Sequence, residues 1–400
     1  MSLIAKRLQT VKPSPTLAVA AKAKELAMQG INIISLAAGE PDFDTPDNIK
    51  LAAIEGIKNG LTKYTMVSGT PELRKAVCEK FKRENGLDYQ TDEVIVSTGG
   101  KQVIYNLFMA TLDEGDEVII PAPYWVSYPD MVLLAGGTPI FVSSNMETGF
   151  KALTEDIEKA ITKKSKWLIL NSPSNPSGAA YTAHELEKIA DLVRKYPHLH
   201  VMSDDIYEHI TFDNFKFTTL ATVAPDIKDR IFIVNGVSKA YSMTGWRIGY
   251  GAGNKTIIKA MDVIQSQSTS NPSSISQIAA LEALSGPQGY IKTNTENFQK
   301  KRDLVLSLLN KINGLSCYKS EGAFYLFPKC LDLFGKKAPN GKQINSSSDL
   351  ATYLLEAANV AIVPGIAFGL EGYFRISYAT SSELLTDACN RMAQALSQLK

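Results

Sequence analysis

Short β-branched runs alternate along the chain with stretches whose apolar positions recur at helical spacing. The runs predict strands at 33–36, 94–97, 117–121, 139–143, 167–171, 200–204, 231–235 and 247–251. Between two of them, residues 101–112 place Val103, Ile104, Leu107, Phe108 and Leu112 on one stripe, the mark of an amphipathic helix. Strand, helix, strand in this rhythm predicts an α/β fold. Its sheet should be mainly parallel, mixed, and covered by helices on both faces.

The last hundred residues read differently. Strands are predicted at 324–328, 361–364 and 373–378, and amphipathic helices at 349–358 and 383–399. That pattern fits a smaller α+β domain. Residues 16–29 read as a helix stopped by Gly30. Residues 6–15 read as an irregular arm, because Pro13 and Pro15 oppose a helix. The polar, Gly-containing stretch 335–348 reads as an exposed loop. The expected division is 1–45 as arm and part of the small domain, 46–288 as the large domain, and 289–400 as the small C-terminal domain.

Composition narrows the class. A length of 400 residues suits two or three domains, and 44% hydrophobic with 21% charged residues is ordinary for a globular chain. Lys+Arg 42 against Asp+Glu 41 leaves +1, which argues against a nucleic-acid partner. No apolar run approaches the roughly 18 residues that cross a bilayer. The start MSLIAKRLQTVKPS lacks the apolar core of a secretion signal, so a cytoplasmic protein is expected. Cys78, Cys317, Cys330 and Cys389 form no CxxC pair and read as free thiols. His198 and His200 lie two apart with no third ligand near, so no metal site is expected.

Candidate chemistry gathers at predicted strand ends, where open α/β sheets bind ligands. Lys239 follows the 231–235 strand in Ser238-Lys239. There it is either a solvated lysine or a partly desolvated amine able to attack a carbonyl. Asp204 ends the 200–204 strand, either as a helix cap or as a carboxylate paired with a protonated ring nitrogen, and Tyr207 can reach the same ligand. Asn171 to Gly178 is either a plain turn or a mount for the amide of Asn175. Thr98-Gly99-Gly100-Lys101 opens a helix with free N–H groups suited to phosphate, although the glycines do not form a dinucleotide fingerprint. Arg375 sits mid-strand between Phe374 and Ile376, either facing solvent or forming a fixed fork for a carboxylate.

Taken together these motifs resemble a known family. Gly39-Glu40-Pro41-Asp42-Phe43, Lys63-Tyr64, Gly99-Gly100-Lys101, Tyr124-Trp125, Asn171 to Gly178, Asp204-x-x-Tyr207, Ser238-Lys239, Gly245-Trp246-Arg247 and Arg375 occur in the order seen in class I aminotransferases. These are pyridoxal-phosphate enzymes of fold type I. Within them the chain resembles the bacterial aspartate aminotransferase branch that includes aspartate/prephenate aminotransferases, and the likeness spans essentially the whole chain.

The resemblance implies a role for each residue. Lys239 would bond covalently to pyridoxal 5'-phosphate and shuttle the proton at the substrate Cα. Asp204 would keep the pyridine nitrogen protonated. Tyr207 and Asn175 would serve the ring's phenolic oxygen, and Trp125 would stack on the ring. Gly99, Gly100, Ser238 and Arg247 would hold the phosphate. Tyr64 would reach the neighbouring subunit's phosphate, making a homodimer with shared sites. Arg375, backed by Gly39, would take the substrate α-carboxylate. A cis bond at Asn175-Pro176 is expected from relatives.

Two departures from the family pattern bear on this. Gly236 stands where the phosphate cup usually has Ser or Thr, so one phosphate hydrogen bond would be either missing or moved to Ser238. No arginine between residues 264 and 278 could take a distal carboxylate from the other subunit, which nominates Lys101. Lys12 and Thr16 match arm positions that accompany prephenate activity in this branch. The expected reaction is ping-pong transamination between aspartate and 2-oxoglutarate. The alternatives are another amino-acid specificity, a β-lyase, or a non-catalytic effector-binding domain of the same fold.

Overall fold

The computed structural model describes residues 3–400; Met1 and Ser2, the start of the expected arm, lie outside them. Its centre is a seven-stranded sheet. Across the sheet the order is Val94–Ser97, Gly249–Ala252, Ile231–Gly236, His200–Asp204, Ser165–Asn171, Glu117–Ala122 and Thr138–Ser143. Gly249–Ala252 runs antiparallel to both neighbours, and every other pairing is parallel. The sheet is therefore mixed but mainly parallel, as the alternation predicts. Its central strands are buried along nearly their whole length, which is why they read as continuous apolar runs rather than alternating ones.

Helices cover both faces. One face packs Val103, Leu107 and Phe108 of the helix Gly100–Thr111 against Ile120, Ile169 and Phe232. The other packs Leu186, Ile189 and Val193 of Ala183–Lys195 against Leu168, Leu170 and Val201. A separate core joins Ile34 and Leu36 to Phe298, Leu326, Ile376 and Met392. There Ile34–Ser35 pairs in parallel with Val360–Ala361, and Phe374–Ser377 lies between Val363–Pro364 and Tyr325–Leu326. The long helix Gly289–Leu309, not singled out by the sequence pattern, packs beside Ser382–Leu396 in this region.

Three sequence expectations need correction. Pro15 does not keep the arm irregular up to its own position but opens the helix Pro15–Met28, because proline is tolerated in a first turn whose N–H has no partner. Residues Lys6–Gln9 also form a short 3₁₀ turn. Arg247 is not in a strand: it sits at φ 56° after the turn Thr244–Trp246, and the strand starts only at Gly249.

Candidate active site

Parallel strands align their carboxyl ends at one edge, and the predicted residues meet there. Asn171, Asp204 and Gly236 are the last residues of their strands, with Asn171 paired to Asp204 in the ladder. A cavity of about 510 Å³ opens at this edge. It is lined by Lys239, Asp204, Tyr207, Asn175, Trp125 and Ser238, by Gly100, Lys101 and Arg247, and from the other core by Gly39 and Arg375.

Lys239 is half-buried, and its Nζ donates to the Gly39 carbonyl at 2.6 Å. Burial, then Arg375 and Arg247, depress its pKa to about 8, against the opposing pull of Glu40 and Asp204. A half-buried amine on a cavity wall with a lowered pKa fits the desolvated-amine reading better than the solvated-lysine one.

Asp204 is buried and its pKa is pushed up to about 6 by that burial. Its Oδ2 accepts from Tyr128 Oη at 2.6 Å, and its Oδ1 accepts weakly from the Ile206 N–H at 3.4 Å. It does not cap a helix; the segment after it is a turn. A carboxylate held this way at a cavity wall suits a protonated ring nitrogen. Its neighbour Asp205 is turned to Ser203, whose Oγ donates to it at 2.7 Å.

Arg375 resolves its two readings. It is only 2% exposed, so it does not face solvent. All of Phe374–Ser377 is buried, so alternation along the strand selects between two interiors rather than interior and water. Its Nη1 donates to Asn175 Oδ1 at 3.0 Å and its Nη2 to the Ala37 carbonyl at 2.6 Å, while its guanidinium lies 4.6 Å from the Tyr325 ring. Its Nε is buried without a partner. Burial lowers its pKa, and the groups that favour its charge are the tyrosines Tyr325 and Tyr207. A buried cation with spare donors on a cavity wall fits an anionic ligand.

The phosphate-cup residues pack closely. Gly99 has φ 86°, and a Cβ there would lie 2.2 Å from Arg247 Nη2. Glycine thus lets the guanidinium lie against the start of the helix Gly100–Thr111, beside its free N–H groups. Gly236 has a steric reason too: a Cβ there would stand 3.0 Å from the Ile248 carbonyl oxygen and 3.1 Å from the Gly249 Cα. A serine would press on the antiparallel strand, whereas Ser238 brings a hydroxyl to the cavity wall beside Lys239.

At the rim, Lys101 is exposed, with its Nζ 4.9 Å from the Trp125 ring. Although its surface is open to solvent, desolvation where it leans on the cavity wall and then Arg247 lower its pKa, against Asp130. Thr16 lines the cavity and shares a 2.9 Å hydrogen bond with Ser14. Lys12 does not line it; its backbone N–H reaches Asp130 Oδ1 at 3.4 Å. Tyr64 also lies outside this cavity and is 92% exposed. The Asn175-Pro176 bond is cis, as are Ala122-Pro123 and Ser172-Pro173.

Two residues escaped the sequence reading. Tyr128 anchors Asp204 and meets Trp125 edge-on at 5.3 Å. Its spacing three residues after Trp125 was the only available signal. Tyr325 shares a 2.9 Å hydrogen bond with Tyr207 and carries Arg375 over its ring. The carboxylates and imidazole that converge elsewhere are Glu84, Glu208 and His209, and both carboxylates ion-pair with Lys80.

The profile of class I and II aminotransferases matches residues 31–392, and the chain belongs to that family. It is 68% identical to a probable aspartate/prephenate aminotransferase of Rickettsia felis, covering 99% of this chain and 97% of that one. It is 58% identical to the aspartate/prephenate aminotransferase of Cereibacter sphaeroides, over 98% of both. Among solved structures, the aspartate aminotransferase of Rhizobium meliloti superposes with a TM-score of 0.97 at 51% identity, covering all of both chains. That of Thermus thermophilus with maleate gives 0.92 at 44%, covering 99% of this chain and 100% of that one.

Proposed function

We propose that this aminotransferase binds pyridoxal 5'-phosphate at Lys239 and exchanges nitrogen between L-aspartate and 2-oxoglutarate, with prephenate as a further amino acceptor. The observation that carries the reading is Arg375: a buried guanidinium with an unpaired donor, facing the cavity beside a lysine of depressed pKa. The family implies the cofactor, and the residues fit it. Arg247 with the Gly99-Gly100 segment suits a phosphate, Asp204 a ring nitrogen, and Trp125 a ring face. When bound, pyridoxal phosphate supplies an electron sink for the carbanion formed at the substrate Cα.

The chain's own groups then divide the work. Arg375 and Asn175 orient the substrate by its α-carboxylate, and orientation alone can supply several kcal/mol of barrier lowering. Lys239 Nζ takes the proton from Cα and returns it, a task its pKa near 8 suits. Asp204, braced by Tyr128, would hold the cofactor's ring nitrogen and favour its protonated form. Lys101 at the rim provides a cation for the distal carboxylate of a dicarboxylic substrate.

Homodimerisation belongs to the same reading. Leu51, Ile54, Ile57, Leu61, Tyr64 and Met66 are all exposed on one stretch, an apolar surface suited to a second copy. The division into 46–288 and a second unit of 1–45 with 289–400 is supported by the core that joins Ile34 to Phe298 and Met392, against which Tyr207, Ile210 and Phe212 of the large unit also pack. Among the described residues no helix is long and apolar enough to cross a membrane, and a cytoplasmic enzyme is the reading we adopt.

A panel of amino donors against 2-oxoglutarate and oxaloacetate tests the substrate assignment. Aspartate should lead it, and slow turnover of aspartate beside fast turnover of alanine or aromatic donors would overturn it. Light scattering tests the dimer.

A further inference from the structure

The site described above does not use a second buried cluster, which lies just behind it. Lys80, the last residue of the helix Pro71–Lys80, is fully buried. Its Nζ donates to Glu208 Oε1 and, at 2.9 Å, to Asn85 Oδ1. Asn85 Nδ2 donates to Glu208 Oε2 at 3.0 Å, and Asn235 Nδ2 to Glu208 Oε1 at 2.6 Å. The outer side is closed by Glu84, 3.5 Å from the ammonium and hydrogen-bonded to His209.

Both segments that carry the reacting groups meet at Glu208. It ends the turn Asp204-Asp205-Ile206-Tyr207-Glu208, in which its N–H donates to the Asp205 carbonyl at 2.9 Å. Asn235 belongs to the strand Ile231–Gly236 that leads into Lys239. Asn235 Oδ1 accepts from the Gly236 N–H at 2.7 Å, so one amide grips both Glu208 and the peptide that starts the run to the lysine. An ion pair wholly removed from water does little for stability that apolar side chains would not do, because desolvation offsets the attraction. Its hydrogen bonds do impose one geometry on the groups they join.

We propose that Glu208, held by Lys80 and Asn85, is a positioning residue that acts through Asn235 to set Lys239 against Asp204 and Tyr207. This rests on the reading of Lys239 and Asp204 given above. It predicts a change in alignment rather than in substrate affinity, since Arg375 makes none of these bonds.

The test uses the cofactor-loaded enzyme and two variants. Asn235→Ala removes only the link and leaves Lys80, Asn85 and Glu208 bonded to one another. Lys80→Met combined with Glu208→Met removes both charges and strands neither. The measurements are kcat and KM for aspartate, the visible circular dichroism of the bound cofactor, and the thermal midpoint. In Asn235→Ala, kcat should fall about tenfold to a hundredfold, the cost of a small misplacement. KM should hold and the dichroic band should change, while the thermal midpoint should fall no further than the loss of two buried hydrogen bonds requires. The double variant should repeat the pattern; if it does not fold, Asn235→Ala decides alone. An unchanged kcat and band in Asn235→Ala overturns the proposal. So does a kcat loss accompanied by a lower thermal midpoint and an unmoved band, which marks a purely structural tie. Borohydride labelling of the unaltered protein separates the two levels: a label away from Lys239 sinks the underlying reading, whereas a label on Lys239 with an unmoved band sinks only this one.

Discussion

The floor and the rim of the cavity are built differently. On the floor Asp204, Asn175, Tyr207 and Arg375 are all buried, and each is held by other residues of the same chain. At the rim Lys101 is exposed, and outside the lining Lys12 and Tyr64 are exposed as well, Lys12 tied to Asp130 through its backbone N–H. The contrast separates what packing has already paid for from what a ligand or second chain must still complete. Floor groups should therefore act on every substrate alike, and rim groups should discriminate among substrates.

The largest effect expected is at Lys239. Lys239→Ala should abolish turnover while leaving the fold and weak cofactor binding through Arg247 and the Gly99-Gly100 segment. Reduction of the native protein with borohydride and peptide mapping should find the label on Lys239. Next is Asp204→Ala, which should raise the barrier by about 3–4 kcal/mol, as loss of one preorganised group does. A steady-state rate near normal would move the role to Asp205, against the geometry that turns Asp205 to Ser203.

Arg375→Leu should weaken aspartate, alanine and aromatic donors by one common factor, read as parallel rises in KM. It carries a pH signature as well. Burial first and the like charge of Arg375 second depress the Lys239 pKa to about 8, so removing that charge should raise it part of the way back. The pH at which cofactor capture reaches half its maximal rate should then move upward. A downward shift would contradict the electrostatics.

Rim changes should be smaller and selective. Lys101→Ser should lower kcat/KM for aspartate far more than for alanine, and equal losses would reassign Lys101 to the phosphate or to structure. Lys12→Ala should reduce prephenate transamination more than the aspartate reaction. It is the smallest effect expected, because Lys12 does not line the cavity and must be carried to the substrate by its arm. Enzyme that turns over aspartate briskly and makes no arogenate would show that the arm does not extend specificity.

Much of this was legible in the chain. Strand ends carry Asn171, Asp204 and the approach to Lys239 because β-branched runs and their polar terminators are local signals. The same local logic misjudged Pro15, because it registered the residue's ring and not its place at a helix start. It overran Arg247 because a left-handed turn leaves little trace in a run of mixed residues. Tyr128 and Tyr325 were missed for another reason: their partners, Asp204 and Tyr207, lie 76 and 118 residues away.

The sequence by itself determined the alternation of elements, the chemistry available at each strand end and the glycines that let backbones approach. Periodicity and conformational preference act within a few residues, so they are written in order along the chain. Only the tertiary structure decided that Arg375 faces a cavity rather than water, that Asp204 rests on Tyr128, that a side chain at Gly236 would press on the strand beside it, and that burial and two arginines depress the Lys239 pKa to about 8. Those outcomes depend on burial and on distances between charges, and both exist only once remote segments have packed together.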